Sequence, residues 1–390
     1  MEEKTFYNYD GQSDSIYSKV QKYLETKYNL KFNTVDQECY ISSKHAPTKQ
    51  EPLNINSLCI ELADAKLNLK LNNLRMYINS NRIERFNPIE SYFKSLPEWD
   101  GIDHIKQLCS YVPTKDPEGF RLQFEKWFVR TILCALEEGK INKHCIVLFS
   151  SIQSVGKTTF LRFLTPHVLR DYYTEQIGTN KDGRIKLTKN LIINLDELSV
   201  LGKSDINALK AMISYESVND RLPYAAKQTR IKRICSFLGS TNKIDFLTDN
   251  TGNVRWIVFE VMDRVNFNFI KEIDIDKVWA QAYHLAYSIS GYNAELTVDE
   301  LKENEERNKQ YRSRTMEEEL ISQYFEESTN IDESMNATDV MLCLEKMDIS
   351  LRHKLNHQSV GRALTSLGFK NVKNSKRQRY GYLVKLKNSN

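Results

Sequence analysis

The sequence predicts an α/β fold, with a mostly parallel sheet in the middle of the chain and helical regions on either side. Three observations support this prediction. Apolar, β-branched segments alternate with helical patterns between about residues 85 and 290. One of these segments leads into the glycine-poor loop of "IVLFSSIQSVGKTTF", residues 146–160. Three short helical patterns and a basic tail close the chain.

The composition is that of a globular protein with two or three domains: 390 residues, of which 41% are hydrophobic. The longest apolar runs, "CIVLF" and "LIINL", are far shorter than the roughly 20 residues that cross a bilayer. The start "MEEKTFYNYDGQ" is acidic and polar, unlike a signal peptide. The seven cysteines contain no C-x-x-C pair. We therefore expect a cytoplasmic protein with reduced thiols and no membrane partner.

Four segments are predicted along the chain. Residues 1–84 form a mainly helical region, with a helix in "SIYSKVQKYLETKY", a hairpin from "LKFNTV" to "ECYIS", and a long helical stretch in "NINSLCIELADAKLNLKLNNLRMYIN". Residues 85–290 contain the amphipathic helix "FRLQFEKWFVRTILCALEEG" and the strands "IVLF", "LIINL", "ICSFLGS" and "RWIVFEV". Residues 291–315 form a charged helical linker that leads to the C-terminal domain, residues 316–390.

The C-terminal segment predicts a winged helix-turn-helix domain. Its three helices are expected in "MEEELISQYFEES", "ATDVMLCLEKM" and "HQSVGRALTSLGF", and "KNVKNSKRQRYGYLVKLK" predicts a basic hairpin, the wing. Residues 351–390 contain ten Lys or Arg and no Asp or Glu, which indicates an anionic partner. Lys376, Arg377 and Arg379 are the candidate DNA contacts in this hairpin.

The loop after "IVLF" matches the second half of the phosphate-binding pattern G-x-x-x-x-G-K-S/T. Gly156, Lys157 and Thr158 fill that half, and a helix is expected from "TTFLRFL". In such loops main-chain N–H groups surround the phosphates, the lysine reaches them and the hydroxyl holds Mg²⁺. Ser151 replaces the first glycine, so a chance strand-turn-helix stays open. The candidate nucleotide contacts are Ser151, Ile152, Gln153, Ser154, Val155, Gly156, Lys157, Thr158 and Thr159.

Polar residues follow two further strands. "LIINL" delivers Asp196 and Glu197, a pair suited to holding hydrated Mg²⁺ and to orienting and deprotonating an attacking water. "ICSFLGSTN" ends in Asn242, whose amide suits contact with a γ-phosphate. By themselves, the carboxylates are also compatible with a surface pair, and "STN" with a turn or helix cap.

Arginine residues supply two more candidates. Arg255 precedes the strand "WIVFE" and suits stabilisation of a transferring phosphoryl group, although pairing with Asp249 or another carboxylate is an alternative. Between Arg221 and Arg233 the chain has five cations and no acid, with Tyr224 among them. That pattern is typical of segments that bind single-stranded nucleic acid, in which case Lys227 and Arg230 would contact phosphates. The alternative is a hairpin that is simply exposed to solvent.

The order of these signals resembles the virulence-associated protein E family, which are superfamily 3-like helicases of phages, plasmids and integrated mobile elements. The resemblance rests on "FNPIESYFKSLPEWDG", "SIQSVGKTTFLRFLTP", "LIINLDELS", "LKAMISYESVNDRLPY", "FLGSTNKIDFLTDNTGNVRW" and the basic C-terminal domain. It is strong over residues 85–290.

The resemblance implies a P-loop ATPase of the superfamily 3 and AAA+ type that forms a ring, commonly a hexamer, around single-stranded DNA. It places the phosphate loop on 151–158, the Walker B pair on Asp196 and Glu197, and sensor 1 on Asn242. It assigns Arg255 as an arginine finger, which contacts the nucleotide of the neighbouring subunit across the interface. The family pattern R-x-P-Y falls on Arg221, Pro223 and Tyr224, in a DNA-binding hairpin. By analogy, residues 1–84 form a collar for ring assembly.

Two departures from the family pattern affect the expected activity. Where the family pattern has G-x-Q-G-x-G-K, this sequence has S-I-Q-S-V-G-K, and the change affects the expected nucleotide affinity and turnover. Where the family has two consecutive arginines, this sequence has Val254 followed by Arg255. Residues 1–84 are too few for a primase domain, so priming would come from a separate primase or polymerase.

The sequence therefore predicts an enzyme: a ring-forming DNA helicase that uses ATP and Mg²⁺ to replicate a phage or mobile element, with single-stranded and double-stranded DNA as partners. Two alternatives stay open. One is an ATP-gated DNA-binding switch that initiates replication or interferes with another phage without processive unwinding. The other is a DNA-binding regulator on an inactive ATPase scaffold.

Overall fold

A computed structural model describes residues 15–175, 177–198, 203–220, 229–247, 253–374 and 379–387. It shows a mixed α/β chain with a parallel sheet and many helices. The chain divides into two compact units, one of Met1–Asn242 with Val254–Leu301 and the other of Lys243–Asn253 with Lys302–Asn390. Among the described residues, none of the helices combines the length and the apolar character that a membrane crossing needs. The seven cysteines are free thiols.

The first unit begins with a small α/β layer. Its elements are α1 (Ile16–Lys27), β1 (Tyr28–Asn33), β2 (Glu38–Ser43), β3 (Ala46–Pro52), α2 (Ile55–Asp64), α3 (Leu71–Ile78) and β4 (Glu84–Phe86). The four strands form one sheet in the order β3-β2-β1-β4, in which β1 and β4 are parallel. Leu24, Phe32, Leu62 and Leu74 pack in a common core, so the helices are held on the sheet by apolar burial.

The long helical stretch predicted for residues 54–79 is wrong in one respect, because it consists of two helices. Lys66 has a φ of +60°, and Leu67 N donates to Leu62 O at 2.8 Å. A left-handed residue followed by this hydrogen bond closes a helix, although glycine is the usual residue there. The sequence also gave no sign of β3 and β4.

Three helices lead to the parallel sheet: α4 (Pro88–Ser95), α5 (His104–Cys109) and α6 (Pro117–Leu136). Asp116 caps α6 by accepting from Gly119 N, and Pro117 occupies its first turn, where proline is tolerated. The aromatic residues of α6 pack into the main core; Phe120 contacts Phe259, and Phe128 meets Trp279 with ring centroids 4.7 Å apart. This packing fixes α6 against the sheet.

The next elements are β5 (Cys145–Phe149), α7 (Lys157–Phe163), β6 (Tyr173–Thr174), α8 (Lys181–Lys189), β7 (Ile192–Leu195), α9 (Lys203–Ile213), β8 (Ser217–Asp220), β9 (Thr229–Lys232), β10 (Ser236–Thr241), β11 (Trp256–Glu260), α10 (Phe269–Glu272), α11 (Ile275–Tyr287) and α12 (Val298–Asn308). Five strands form a parallel sheet in the order β11-β5-β10-β7-β6. Every residue of β5, β7 and β10 is buried, so the predicted strands are confirmed as the core of a parallel sheet.

The second unit contains α13 (Met316–Tyr324), β12 (Phe325–Glu327), α14 (Ala337–Met347), α15 (His357–Ser366), β13 (Asn371–Asn374), β14 (Arg379–Tyr382) and β15 (Val384–Leu386). The strands form two antiparallel pairs, β12 with β15 and β13 with β14. The first predicted helix is shorter than expected because Phe325 pairs with Leu386 in a strand. Ile321, Leu344, Leu364 and Val384 belong to one buried core.

Candidate active site

The loop between β5 and α7 holds two residues in the left-handed region of backbone conformation. Gly156 has a φ of +101°, and a Cβ there would lie 2.7 Å from Phe267 Cζ, so this position requires glycine. Ser154 has a φ of +57° and is exposed, whereas Ser151 does not have a positive φ. The missing glycine therefore matters at residue 154, where serine is strained, rather than at residue 151.

Lys157 begins α7 at the carboxyl end of β5. It is buried, and its Nζ donates to Asn242 Oδ1 at 2.6 Å. Burial lowers the pKa of the Lys157 ammonium, while Asp196 acts in the opposite direction. β10, which ends beside Asn242, pairs with β5, so these two side chains meet because their strands are neighbours.

Asp196 follows the last residue of β7, and its carboxylate accepts hydrogen bonds from two hydroxyl groups. Thr158 Oγ1 donates to Asp196 Oδ1 at 2.9 Å, and Ser240 Oγ donates to the same oxygen. The sequence analysis missed Ser240. The signal was present in "STN", because Ser240 lies at the carboxyl end of β10, two residues before Asn242. Ser240 thus orients the carboxylate that faces Thr158.

Glu197 follows Asp196 and is exposed, with a φ of +54°. A non-glycine residue in this conformation stores strain, which is typical of functional sites. Below it, a Cβ at Gly239 would lie 3.0 Å from Leu198 Cδ1, so β10 and the end of β7 are tightly packed. This packing holds the turn that presents Glu197.

Lys157, Thr158, Asp196, Ser240 and Asn242 thus converge at one edge of the sheet, where β5, β10 and β7 end side by side. Ligands of open α/β sheets bind outside the carboxyl ends of the strands. Within the described ranges, no group of three His, Cys, Asp or Glu side chains could hold a metal ion. The hydroxyl of Thr158 and the carboxylate of Asp196 fit Mg²⁺, which takes few protein oxygens and completes its shell with phosphates and water.

The remaining loop residues differ in exposure. Val155 is buried, and Val265 N donates to its carbonyl at 2.8 Å, which anchors the middle of the loop. The other predicted nucleotide contacts are exposed and line the solvent side of the loop or of α7: Ser151, Ile152, Gln153, Ser154 and Thr159.

A family model described as the virulence-associated protein E-like domain matches residues 93–313. The chain belongs to this family. The match confirms the resemblance inferred from the six motifs. A comparison with curated protein sequences gives no match.

A solved structure with a TM-score above 0.5 resembles the chain in fold. The apo structure of the NrS-1 C-terminal region has a TM-score of 0.51 at 12% identity, covering 96% of this chain and 100% of that chain. An A form apo structure of the NrS-1 C-terminal region has a TM-score of 0.47 at 14% identity, covering 93% and 98%. At these identities the likeness concerns the fold alone.

Arg255, which is part of the virulence-associated protein E-like domain, does not lie near Lys157. It precedes β11, and Trp256 aligns with Cys145 at the start of β5, so Arg255 lies at the amino edge of the sheet. Its Nε donates to Ser214 Oγ at 2.8 Å. The suggested alternative partner, Asp249, lies outside the described residues.

Four residues of the basic segment of the virulence-associated protein E-like domain, Thr229–Lys232, form β9, which pairs antiparallel with β8. Arg230 is exposed; its Nε donates to Ser217 Oγ at 2.8 Å, and Nη2 lies 3.6 Å from Glu216 Oε1. The connecting residues lie outside the described part of the chain, and they include the predicted contacts Arg221, Tyr224 and Lys227.

Two of the five cations counted in this segment are not free to bind DNA, which corrects the sequence interpretation. Arg233 is fully buried, and it donates to the main-chain carbonyls of Cys235 and Asn142. Lys232 donates to Ala135 O at 3.3 Å, and burial lowers its pKa. Both side chains stabilise the fold because they satisfy carbonyl groups.

The second unit lies mostly beyond the residues that match the family model. Arg379 Nη2 lies 2.7 Å from Asp339 Oδ2, and the arginine side chain is 41% exposed. The other two predicted contacts, Lys376 and Arg377, fall outside the described residues. Arg379 is therefore a partly neutralised cation at the start of β14, where it pairs with Asn374, the last residue of β13.

Proposed function

We propose that this chain is an ATP-dependent DNA helicase of the superfamily 3 type that serves replication of a phage or mobile element. The observation that carries the proposal is the convergence of Lys157, Thr158, Asp196 and Asn242 at the carboxyl edge of the parallel sheet. We assign the sheet and its loop to a P-loop NTPase core, because a lysine, a hydroxyl and an acid after neighbouring strands are what phosphoryl transfer needs.

Each residue of the site has a role in this proposal. Lys157 contacts the phosphates and gives up part of its contact with Asn242, which then faces the γ-phosphate. Thr158 and Asp196 hold Mg²⁺, which neutralises charge on the transferring phosphoryl group. Ser240 fixes the rotamer of Asp196. Glu197 orients the attacking water and accepts its proton.

Arg255 completes the site of a neighbouring subunit. β5 spans five residues, about 16 Å at 3.3 Å per residue, and separates the edge with Arg255 from the edge with Lys157. An arginine this far from the site of its own chain can reach phosphates only across an interface. The proposed assembly is therefore a ring, and we propose a hexamer.

DNA contacts complete the proposal. Residues 221–228, which connect β8 with β9 in sequence, bind single-stranded DNA in this proposal, together with Arg230. The second unit, with α13, α14, α15 and the β13–β14 hairpin, is assigned as a winged helix-turn-helix that binds duplex DNA. A separate primase or polymerase supplies primers.

The test combines DNA-stimulated ATP hydrolysis with strand unwinding. The wild-type chain should do both, and Lys157→Ala should do neither. A mixture of Lys157→Ala and Arg255→Ala chains should regain hydrolysis if each site is built from two subunits, because some interfaces then carry an intact half from each. Hydrolysis by neither the wild type nor the mixture contradicts the enzyme proposal.

An ATP-gated switch is the second candidate, and the strained Ser154 favours it. A loop strained before phosphate binds is expected to weaken binding and slow turnover. Hydrolysis without unwinding, together with DNA affinity that depends on ATP, supports the switch. An inactive scaffold is disfavoured because the lysine, hydroxyl, acid and amide are all present and in contact.

A further inference from the structure

The N-terminal layer contains an exposed stretch of sequence without acidic side chains, although Glu25 and Glu84 line a cavity together with Arg82 at the end of this stretch. From Lys66 to Arg82, ten residues are exposed: four are basic, five are asparagine and the last is Met76. We call these ten residues the asparagine–basic face. The whole chain has 51 Asp and Glu against 55 Lys and Arg, so an exposed stretch of this length with no acid differs from the average surface.

Helix α3 arranges the centre of this face as a stripe. Leu74, Tyr77 and Ile78 are buried against the layer, whereas Asn72, Arg75 and Asn79 are exposed. Residues three and four apart lie on the same side of a helix, so these three side chains point outward together.

The cations of the face are available to an external partner. Within the described ranges, no carboxylate lies within ion-pair distance of Lys66, Lys70, Arg75 or Arg82. Arg82 Nη1 donates to the neutral Gln21 side chain at 3.2 Å. The flanking acids in sequence are Asp64, which is exposed at the end of α2, and Glu84, which pairs with Lys31 at 2.9 Å.

We propose that the asparagine–basic face binds double-stranded DNA. Asn72, Arg75 and Asn79 would face the major groove, which admits an α-helix and in which asparagine and arginine pair with base edges. Lys70 and Arg82 flank the stripe and contact phosphates, which fix the helix on the duplex.

The composition of the face favours duplex DNA over other partners. Single strands are bound by exposed aromatic side chains on which bases stack, and the only aromatic residue of this stretch, Tyr77, is buried. Protein interfaces are rich in aromatic residues and poor in charge at their centres, whereas Met76 is the only large apolar residue exposed here.

This inference goes beyond the proposed function. Helix α3 lies outside residues 93–313, which match the family model, and it needs neither ATP nor the residues of the candidate active site. The N-terminal layer would anchor the protein on duplex DNA. Its failure would leave the ATPase proposal untouched.

The experiment measures binding of the full chain, without nucleotide, to a fluorescent duplex of mixed sequence over a range of salt concentrations. Lys70→Glu with Arg82→Glu should weaken binding at least about 10-fold and reduce the salt slope by about 2, at 0.9 per phosphate contact. The control, Lys106→Glu with Lys271→Glu, makes the same change of charge at two exposed helical lysines and should weaken binding by less than about twofold.

A neutral variant separates groove contact from charge. Asn72→Ala with Asn79→Ala should weaken duplex binding about fivefold without changing the salt slope, because a neutral amide contacts base edges and releases no counterions from the phosphates. ATP hydrolysis and thermal midpoint should stay unchanged in both variants. Equal losses for the charge-reversal pair and its control overturn the proposal. A loss of single-stranded binding as large as the loss of duplex binding also overturns it.

Discussion

The two edges of the parallel sheet both hold buried cations, but the cations have different partners. At the carboxyl edge, Lys157 donates to the side chain of Asn242, beside the exposed Asp196. At the amino edge, Arg233 donates to main-chain carbonyls, and Arg130 donates to the carbonyl of Ala294 and to the Asn142 side chain. Both arginines are almost fully buried.

The difference predicts which buried cation serves chemistry. Main-chain carbonyls are fixed by the fold, so an arginine that satisfies them cannot release them without leaving acceptors unpaired. A lysine held by one neutral amide can turn to a phosphate at small cost. The partner, rather than burial itself, distinguishes a functional cation from a structural one. Variants at the carboxyl edge should therefore change activity, and variants at the amino edge should change stability.

The largest expected effect is at Asp196. Asp196→Asn should lower ATP hydrolysis about 1000-fold, because a metal-bound carboxylate supports several kcal/mol of charge stabilisation. The thermal midpoint should change by only a few degrees, since this side chain is exposed. Steady-state kinetics at several magnesium concentrations check it, with the exposed Asp171→Asn as control. A large loss of stability in Asp196→Asn would contradict the prediction that variants at the carboxyl edge change activity rather than stability.

Arg233 should show the opposite behaviour. Arg233→Met removes the donor from several buried carbonyls, so the free energy of unfolding should fall by about 3 kcal/mol or more. Specific activity of the folded protein should be nearly unchanged. Urea denaturation of this variant and of Arg230→Met, an exposed position, provides the comparison. Similar values for the two variants would refute a structural role for Arg233.

His144, next to β5 at the amino edge, should make stability depend on pH. Burial, together with the charges of Arg130, Lys143 and Arg255, lowers its pKa from 6.5 to about 3. Between these values the unfolded chain binds a proton that the folded chain does not, so stability falls as pH falls. From pH 7 to 5 the loss should be about 2 kcal/mol. In denaturation experiments, His144→Gln should remove this contribution to the dependence of the free energy of unfolding on pH. The control His167→Gln, at an exposed position, should show the same pH dependence as the wild type.

The smallest expected effect separates the two serines of the loop. Ser154→Gly removes a strained left-handed serine and should tighten ATP binding by up to about fivefold, which corresponds to about 1 kcal/mol. Ser151→Gly should bring no gain because residue 151 does not have a positive φ. Titration of each variant with ATP measures the change in affinity. An equal gain in affinity from both variants would contradict the proposed strain at Ser154.

Sequence reasoning succeeded where local pattern decides structure. The apolar strands and the polar residues that follow them were predictable because strand burial and strand-end chemistry leave a continuous signal. Ser240 was also predictable, since it lies at the carboxyl end of β10, two residues before Asn242.

Other features depend on tertiary contacts. β3 and β4 are edge strands of the N-terminal sheet, one rich in polar residues and the other only three residues long. The helix break at Lys66 lacks the glycine that usually marks one. Arg233 resembles the exposed Arg230 in sequence, and it is buried through contacts with carbonyls that are distant in sequence, those of Ile213 and Asn142.

The most direct test of the account is a calorimetric titration of the full chain with ATP and magnesium. The account predicts saturable binding of one nucleotide per chain by the wild type and by Lys271→Ala, an exposed control. Lys157→Ala should bind at least about 10-fold more weakly, because it lacks the ammonium that reaches the phosphates. Equal binding by all three proteins, or none by the wild type, would contradict the assignment of the carboxyl edge as a nucleotide site.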